Sequence, residues 1–203
     1  KYIERTLVFY PDSYSVGVQI DLSEVEDLIY RDVSFSWLDG IATTEKDIKD
    51  DLTYFKSYIY QGGEVEELKI KPGESENKTY NGSIDWAAIR SKYFVCAVIP
   101  ENKQNIRYVN QTAVFDSTET YGASFVFDGY KKESLFTLYL GPLEYDRVKE
   151  LEVNLDEIMD FGWAFIRPIS KGVLYTLKRM HVYIPNYGVV LIVFSILVKI
   201  LVF

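Results

Sequence analysis

The chain is poor in the residues that most often carry chemistry: its 203 residues include one histidine and one cysteine. His181 sits far in sequence from any carboxylate cluster, which excludes a histidine-based catalytic triad and a multi-histidine metal site. Cys96 alone forms no disulfide framework or cysteine-rich metal site, so the fold must be held by its core. It lies in an apolar run with no nearby base to lower its pKa, and reads as a small core hydrophobe. No glycine loop fit to cradle phosphate occurs either. Gly62-Gly63 lacks the flanking Lys-Ser/Thr and has the character of a hairpin turn. No internal repeat or low-complexity stretch is present.

Acidic residues are missing from one part of the chain. The net charge of −8 divides into 17 Lys+Arg against 30 Asp+Glu over residues 1–160, and 5 against none over residues 161–203. An acidic globular part argues against nucleic acid, because phosphate binding needs a basic face there. The basic, apolar tail suits anionic lipid headgroups instead. The acidic clusters Glu24, Glu26, Asp27 and Glu64, Glu66, Glu67 fall in loops or on alternating faces and read as solvated surface. The chain starts without Met and stops inside an apolar run, so a fragment of a longer protein is expected.

What is abundant is aromatic and apolar residues, with 17 Tyr, 12 Phe and 48 % hydrophobic residues overall. That mixture favours half-buried strands. Alternating stretches recur at Thr6–Tyr10, Ser15–Leu22, Val33–Trp37, Thr53–Tyr60, Glu64–Ile70, Asn105–Phe115, Ala123–Phe127 and Glu133–Leu140. Turn signals separate them, among them Tyr10-Pro11-Asp12-Ser13, Leu38-Asp39-Gly40, Asn81-Gly82 and Asp128-Gly129. The pattern predicts a mainly β, antiparallel sandwich. Ile84 to Pro100 is nearly continuous in apolar residues and predicts a central strand buried on both faces. Three sequons, at Asn77, Asn81 and Asn110, are chance features of a polar β domain.

After Gly141-Pro142 the pattern turns helical. Leu143–Leu151 predicts a short helix, and Asn154 is placed to cap a second one through Met159. From Pro168 to Ile184, the residues Ile169, Val173, Leu177, Met180 and Ile184 recur at spacings of three and four, with Arg167, Lys171 and Lys178 opposite. This predicts a basic amphipathic helix, either interfacial or packed on the sandwich. Tyr187–Phe203 holds 17 residues, 13 of them Leu, Ile, Val or Phe, about 26 Å as a helix. A truncated transmembrane helix is expected. The organisation is then a β domain with short helices over 1–160, an amphipathic helix over 161–186 and a membrane helix over 187–203.

Lys199 stands inside that apolar run. A lysine near the bilayer centre costs about 2.5–3.5 kcal/mol, and the apolar residues return roughly 4–8 kcal/mol on the same scale, so insertion remains favourable. The ammonium either snorkels to the headgroups or faces a polar cavity within the membrane.

The run Met159-Asp160-Phe161-Gly162-Trp163-Ala164-Phe165-Ile166-Arg167-Pro168, followed by Asn186-Tyr187-Gly188 and the segment through Lys199, resembles the YidC membrane protein insertases. Tyr139-Leu140-Gly141-Pro142, Trp86 with the Tyr93–Pro100 strand, and the Thr6–Leu22 opening resemble that family's large periplasmic domain. The resemblance covers nearly the whole chain. It implies the latter part of a periplasmic β-supersandwich related to galactose mutarotases, an interfacial helix, and part of the second membrane helix.

In that family a basic residue on the second helix, usually Arg, faces a hydrophilic groove. The resemblance assigns Lys199 to that position, with Ser195 beside it, and assigns Trp163, Arg167, Lys171, Lys178 and Arg179 to the interfacial helix. Lysine keeps the charge without arginine's planar fork, which suits a point charge better than bidentate carboxylate binding. Counting positive charges would put the basic flank in the cytoplasm, whereas the resemblance puts it in the periplasm.

The implied function is a non-enzymatic insertase and chaperone in the bacterial inner membrane, its large domain in the periplasm. Nascent membrane proteins, Sec translocon components and membrane lipids are the implied partners, with no nucleic acid, cofactor or metal. The competing expectation is a carbohydrate- or peptide-binding sandwich on a simple anchor. A mutarotase-type enzyme is disfavoured because Lys1 to Asp160 contains no histidine.

Overall fold

The computed structural model describes residues 1–29, 32–116, 119–159 and 167–202, and the chain divides into two compact units, Lys1–Ile158 and Met159–Phe203. The first unit is an antiparallel β-sandwich. Its strands are β1 (Glu4–Phe9), β2 (Ser15–Asp21), β3 (Asp32–Trp37), β4 (Lys56–Gln61), β5 (Glu64–Leu68), β6 (Ser75–Asn81), β7 (Trp86–Arg90), β8 (Phe94–Pro100), β9 (Ile106–Phe115), β10 (Glu119–Asp128) and β11 (Glu133–Pro142). One sheet has seven strands in the order β1-β2-β11-β8-β7-β4-β5, the other four in the order β3-β10-β9-β6.

Alternation puts Val18, Ile20, Phe136, Leu138, Val98, Ala87 and Ile59 of the larger sheet against Val109, Phe125, Phe127 and Tyr80 of the smaller, forming the main core. Phe136 is its hub, with its ring centroid 4.8 Å from Phe35, 5.7 Å from Phe127 and 6.0 Å from Phe125. The turn signals work as the residues require. Asp12, Asp39, Gly40, Gly62 and Gly63 all have positive φ, the left-handed conformation that Gly and Asp tolerate. Gly141 serves close approach instead: a Cβ there would stand 2.6 Å from Tyr14 Cβ.

The sequence pattern misplaced several elements. The run from Ile84 to Pro100 is two strands, β7 and β8, because the polar Ser91-Lys92 turn interrupts it. Both sit mid-sheet, which is why both are buried on two faces. Strand β6 was not predicted, since SENKTYN is polar and only Tyr80 turns inward from this edge position. The strand expected from Thr53 begins at Lys56 and is preceded by a short helix α1 (Ile48–Leu52), whose N-cap Asp47 accepts a bond from the Asp50 amide.

Beyond β11, the predicted helix is one turn, α2 (Tyr145–Lys149), and the second is a 3₁₀ turn, Leu155–Ile158. Asn154 does not cap it with its side chain. Its Nδ2 donates to Tyr60 Oη at 3.1 Å, and its own φ is 61°.

Burial pushes the Cys96 thiol and the Tyr139 phenol each up to about 12, and raises the Tyr121 phenol as well. These acids stay protonated in the folded chain, while unfolded they ionise from about pH 9–10. Unfolding therefore releases protons in alkaline solution. The stabilisation is complete below pH 9 and is lost as pH rises toward 12. We expect the melting temperature to fall by several degrees between pH 9 and pH 11, measured by circular dichroism, with no such fall between pH 7 and pH 8.5.

Candidate functional site

The second unit contains two helices, α3 (Arg167–Tyr183) and α4 (Tyr187–Val202). Between them, Pro185 cannot continue a helix, and Asn186 starts the next one. Its Oδ1 accepts from the amides of Gly188 at 2.9 Å and Val189 at 3.3 Å. The corner is held by His181 stacked on Tyr187, with ring centroids 3.8 Å apart and planes 15° from parallel.

Helix α4 buries Val190 and half-buries Val193 and Phe194. From Ser195 to Ile200 every side chain is exposed, and most are Leu, Ile or Val. Such a continuous apolar surface is unfavourable in water. Its 16 residues extend about 24 Å. Among the described residues no helix is long and apolar enough to cross a membrane.

Ser195 and Lys199 lie four residues apart, on one face of α4, and both are exposed. The Ser195 hydroxyl donates to the Leu191 carbonyl at 2.8 Å, so its polarity is satisfied within the helix, the arrangement an apolar medium demands. Lys199 is the sole charged residue of α4.

On α3, Lys171 and Lys178 share one side and are half-buried, as are Leu174, Leu177 and His181. The sequence pattern set Ile169 and Val173 in the apolar stripe and the lysines opposite. In the structure Ile169 and Val173 are exposed, together with Tyr175, Val182 and Tyr183. The exposed surface of this helix is thus apolar and aromatic as well as basic. Arg179 is exposed, its guanidinium 5.6 Å from the Tyr183 ring centroid. Arg167 begins α3, but its side chain and the whole of Trp163 lie outside the described residues.

In the sandwich, the structure brings together residues that sequence patterning did not connect. The segment Val153–Ile158 is fastened to the outer face of the larger sheet just before the chain leaves the unit. The fully buried Trp86 donates its Nε1–H to the Val153 carbonyl at 2.8 Å and stacks on Tyr60 at 5.2 Å. The buried Arg90 donates to the Ile158 carbonyl at 2.6 Å and to the Ser91 carbonyl at 3.3 Å. Leu155 and Ile158 are buried there. An arginine in an otherwise apolar strand was the only available signal of this anchor.

A family model described as the YidC periplasmic domain matches residues 1–172. The chain belongs to that family. The match takes in the whole sandwich and the first residues of α3, and the YidC relatives carry the likeness further. The membrane protein insertase YidC of Chlorobium luteolum is 33 % identical over 206 residues, covering 97 % of this chain and 35 % of that protein. Its counterpart in Chlorobium limicola is 34 % identical over 202 residues, covering 94 % of this chain and 34 % of that protein. The one in Chlorobaculum parvum is 31 % identical over 212 residues, with coverages of 97 % and 35 %. The chain spans about a third of the length of the curated relatives it matches. Membership of the YidC family does not favour the reading of a carbohydrate- or peptide-binding sandwich on a passive anchor.

Proposed function

We propose that the chain is part of a membrane protein insertase and chaperone of the bacterial inner membrane, with its sandwich in the periplasm. The observation that carries this is the juxtaposition, in a chain of the YidC family, of a basic, aromatic amphipathic helix with an apolar-surfaced helix bearing one charge. Helix α3 lies along the lipid interface and α4 enters the bilayer, the exposed Leu, Ile and Val side chains of Leu191–Ile200 meeting hydrocarbon. Ser195 and Lys199 line a hydrophilic groove completed by further helices. The ammonium there attracts the polar part of a nascent substrate and lowers the cost of moving it partway across the membrane. The apolar segment of the substrate then partitions into lipid. No covalent reaction is involved. Nascent membrane proteins, Sec translocon components and membrane lipids are the partners.

The test is insertion of a model substrate in cells depleted of the native insertase and complemented with the full-length protein. Lys199→Ala is expected to lower the inserted fraction about tenfold, the equivalent of ~1.4 kcal/mol, and Lys199→Arg to restore it. Full insertion by Lys199→Ala would remove the charge from the mechanism.

A further inference from the structure

At one end of the sandwich an apolar cavity of about 380 Å³ opens between the sheets, lined by Tyr14, Trp37, Ala42, Phe94, Cys96 and Leu140 among others. This is within the size range of built ligand sites. Three of its lining residues, Tyr14, Phe94 and Leu140, are about 40 % exposed, and exposed Leu38 and Tyr93 lie next to lining residues in sequence. Two cations near this mouth are paired with carboxylates. Lys92, within cation–π range of Tyr93, pairs with Asp50 at 2.7 Å, and Arg147, over the Tyr14 ring, pairs with Glu144 at 2.8 Å. This end therefore presents a mainly apolar, aromatic surface, with the exposed Asp39 beside the lining residue Gly40.

One wall offers more than apolar area. The stretch Ile41–Thr43 belongs to no helix or strand, and among the described residues its backbone N–H and C=O groups make no hydrogen bond. It is held at both ends: Trp37 Nε1–H donates to the Gly40 carbonyl at 2.8 Å, and the fully buried Asp51 accepts from the Thr44 amide at 3.1 Å. Open backbone groups beside an apolar cavity offer hydrogen bonds to the main chain of an extended segment, while the cavity supplies selectivity for a side chain. A lipid tail would leave those groups unpaired. The cavity also lies at the end where the chain leaves the sandwich, because Arg90, bonded to the Ile158 carbonyl, directly precedes the turn leading to Phe94.

We propose that this mouth docks an extended, uncharged apolar peptide segment, one side chain filling the cavity and the backbone pairing along Ile41–Thr43. The inference rests on the insertase reading, which supplies such segments as nascent substrate. The test uses the full chain in nanodiscs of zwitterionic lipid and a fluorescent neutral peptide of about eight leucine, valine and phenylalanine residues, followed by anisotropy. Saturable binding is expected, weakened about tenfold by Ala42→Trp, which fills the cavity, and about fivefold by Thr43→Pro, which removes a backbone donor, with melting temperatures unchanged. Absence of saturable binding, equal binding by both variants, or binding of a fluorescent fatty acid in place of the peptide would overturn the proposal. Failure here with intact Lys199-dependent insertion overturns the docking site alone. Peptide binding with Lys199-independent insertion overturns the groove mechanism alone.

Discussion

Trp86→Ala is expected to lower the unfolding free energy of the sandwich by about 3–5 kcal/mol, a large fraction of the roughly 5–15 kcal/mol of an ordinary domain. Three losses combine. The indole is fully buried, so its removal leaves a cavity between the larger sheet and the segment that crosses it. The stacked contact with Tyr60, with planes 6° from parallel, is lost. The Val153 carbonyl loses its donor. Trp86→Phe separates these terms, keeping much of the packing while deleting the hydrogen bond, and should cost about 1–2 kcal/mol. Urea unfolding of the full chain measures both. The midpoint should fall with the slope unchanged, and a loss under about 1 kcal/mol for Trp86→Ala would mean that the Val153–Ile158 segment does not unfold with the sandwich.

Arg90→Met is expected to cost about 2–3 kcal/mol, concentrated at the same segment. Methionine preserves the aliphatic stem but removes the guanidinium donors to the Ile158 and Ser91 carbonyls. Hydrogen bonds from a charged donor to buried carbonyls are at the strong end of the range, and the carbonyls left behind are costly to bury unpaired. Because the chain leaves the sandwich directly after Ile158, hydrogen exchange of residues 153–158 should accelerate by one to two orders of magnitude while strands β9 and β10 keep their protection. Uniform acceleration would mean that Arg90 acts through the global fold and not through this anchor.

The elements that sequence patterning found are those whose signal is local. Strands β2, β3 and β11 alternate in burial for much of their length, and turns at Asp12, Asp39 and Gly40 carry residues that tolerate positive φ. Strand β6 escaped because an edge strand exposing most of its residues has little hydrophobic pattern to read. Strands β7 and β8 merged because burial on both faces erases alternation, leaving Ser91-Lys92 as the only break. Asn154 was assigned a cap from its residue type, whereas its side chain is taken by Tyr60, ninety-four positions away.

Lys199 stands out in the sequence because one charge in an apolar run is visible in any register, whereas Ser195 comes only from the family resemblance. Periodicity identified the apolar stripe of α3 without saying whether protein or lipid covers it. Arg90 and Trp86 were invisible as an anchor for a related reason: their partners lie 68 and 67 positions away along the chain.

The amino-acid order by itself determined the β class, the split between an acidic sandwich and a basic apolar tail, the helical character of that tail and the family likeness. The first three depend on composition or on spacing within a few residues, and the likeness on the residues of the motifs that carry it. Only the tertiary structure decided which strands share a sheet, which carbonyls Trp86 and Arg90 hold, and that Tyr14, Trp37, Phe94 and Leu140 meet around one cavity. Those relations join residues tens of positions apart. They arise when both faces of a large sheet are covered at once, a condition on packing that no local pattern encodes.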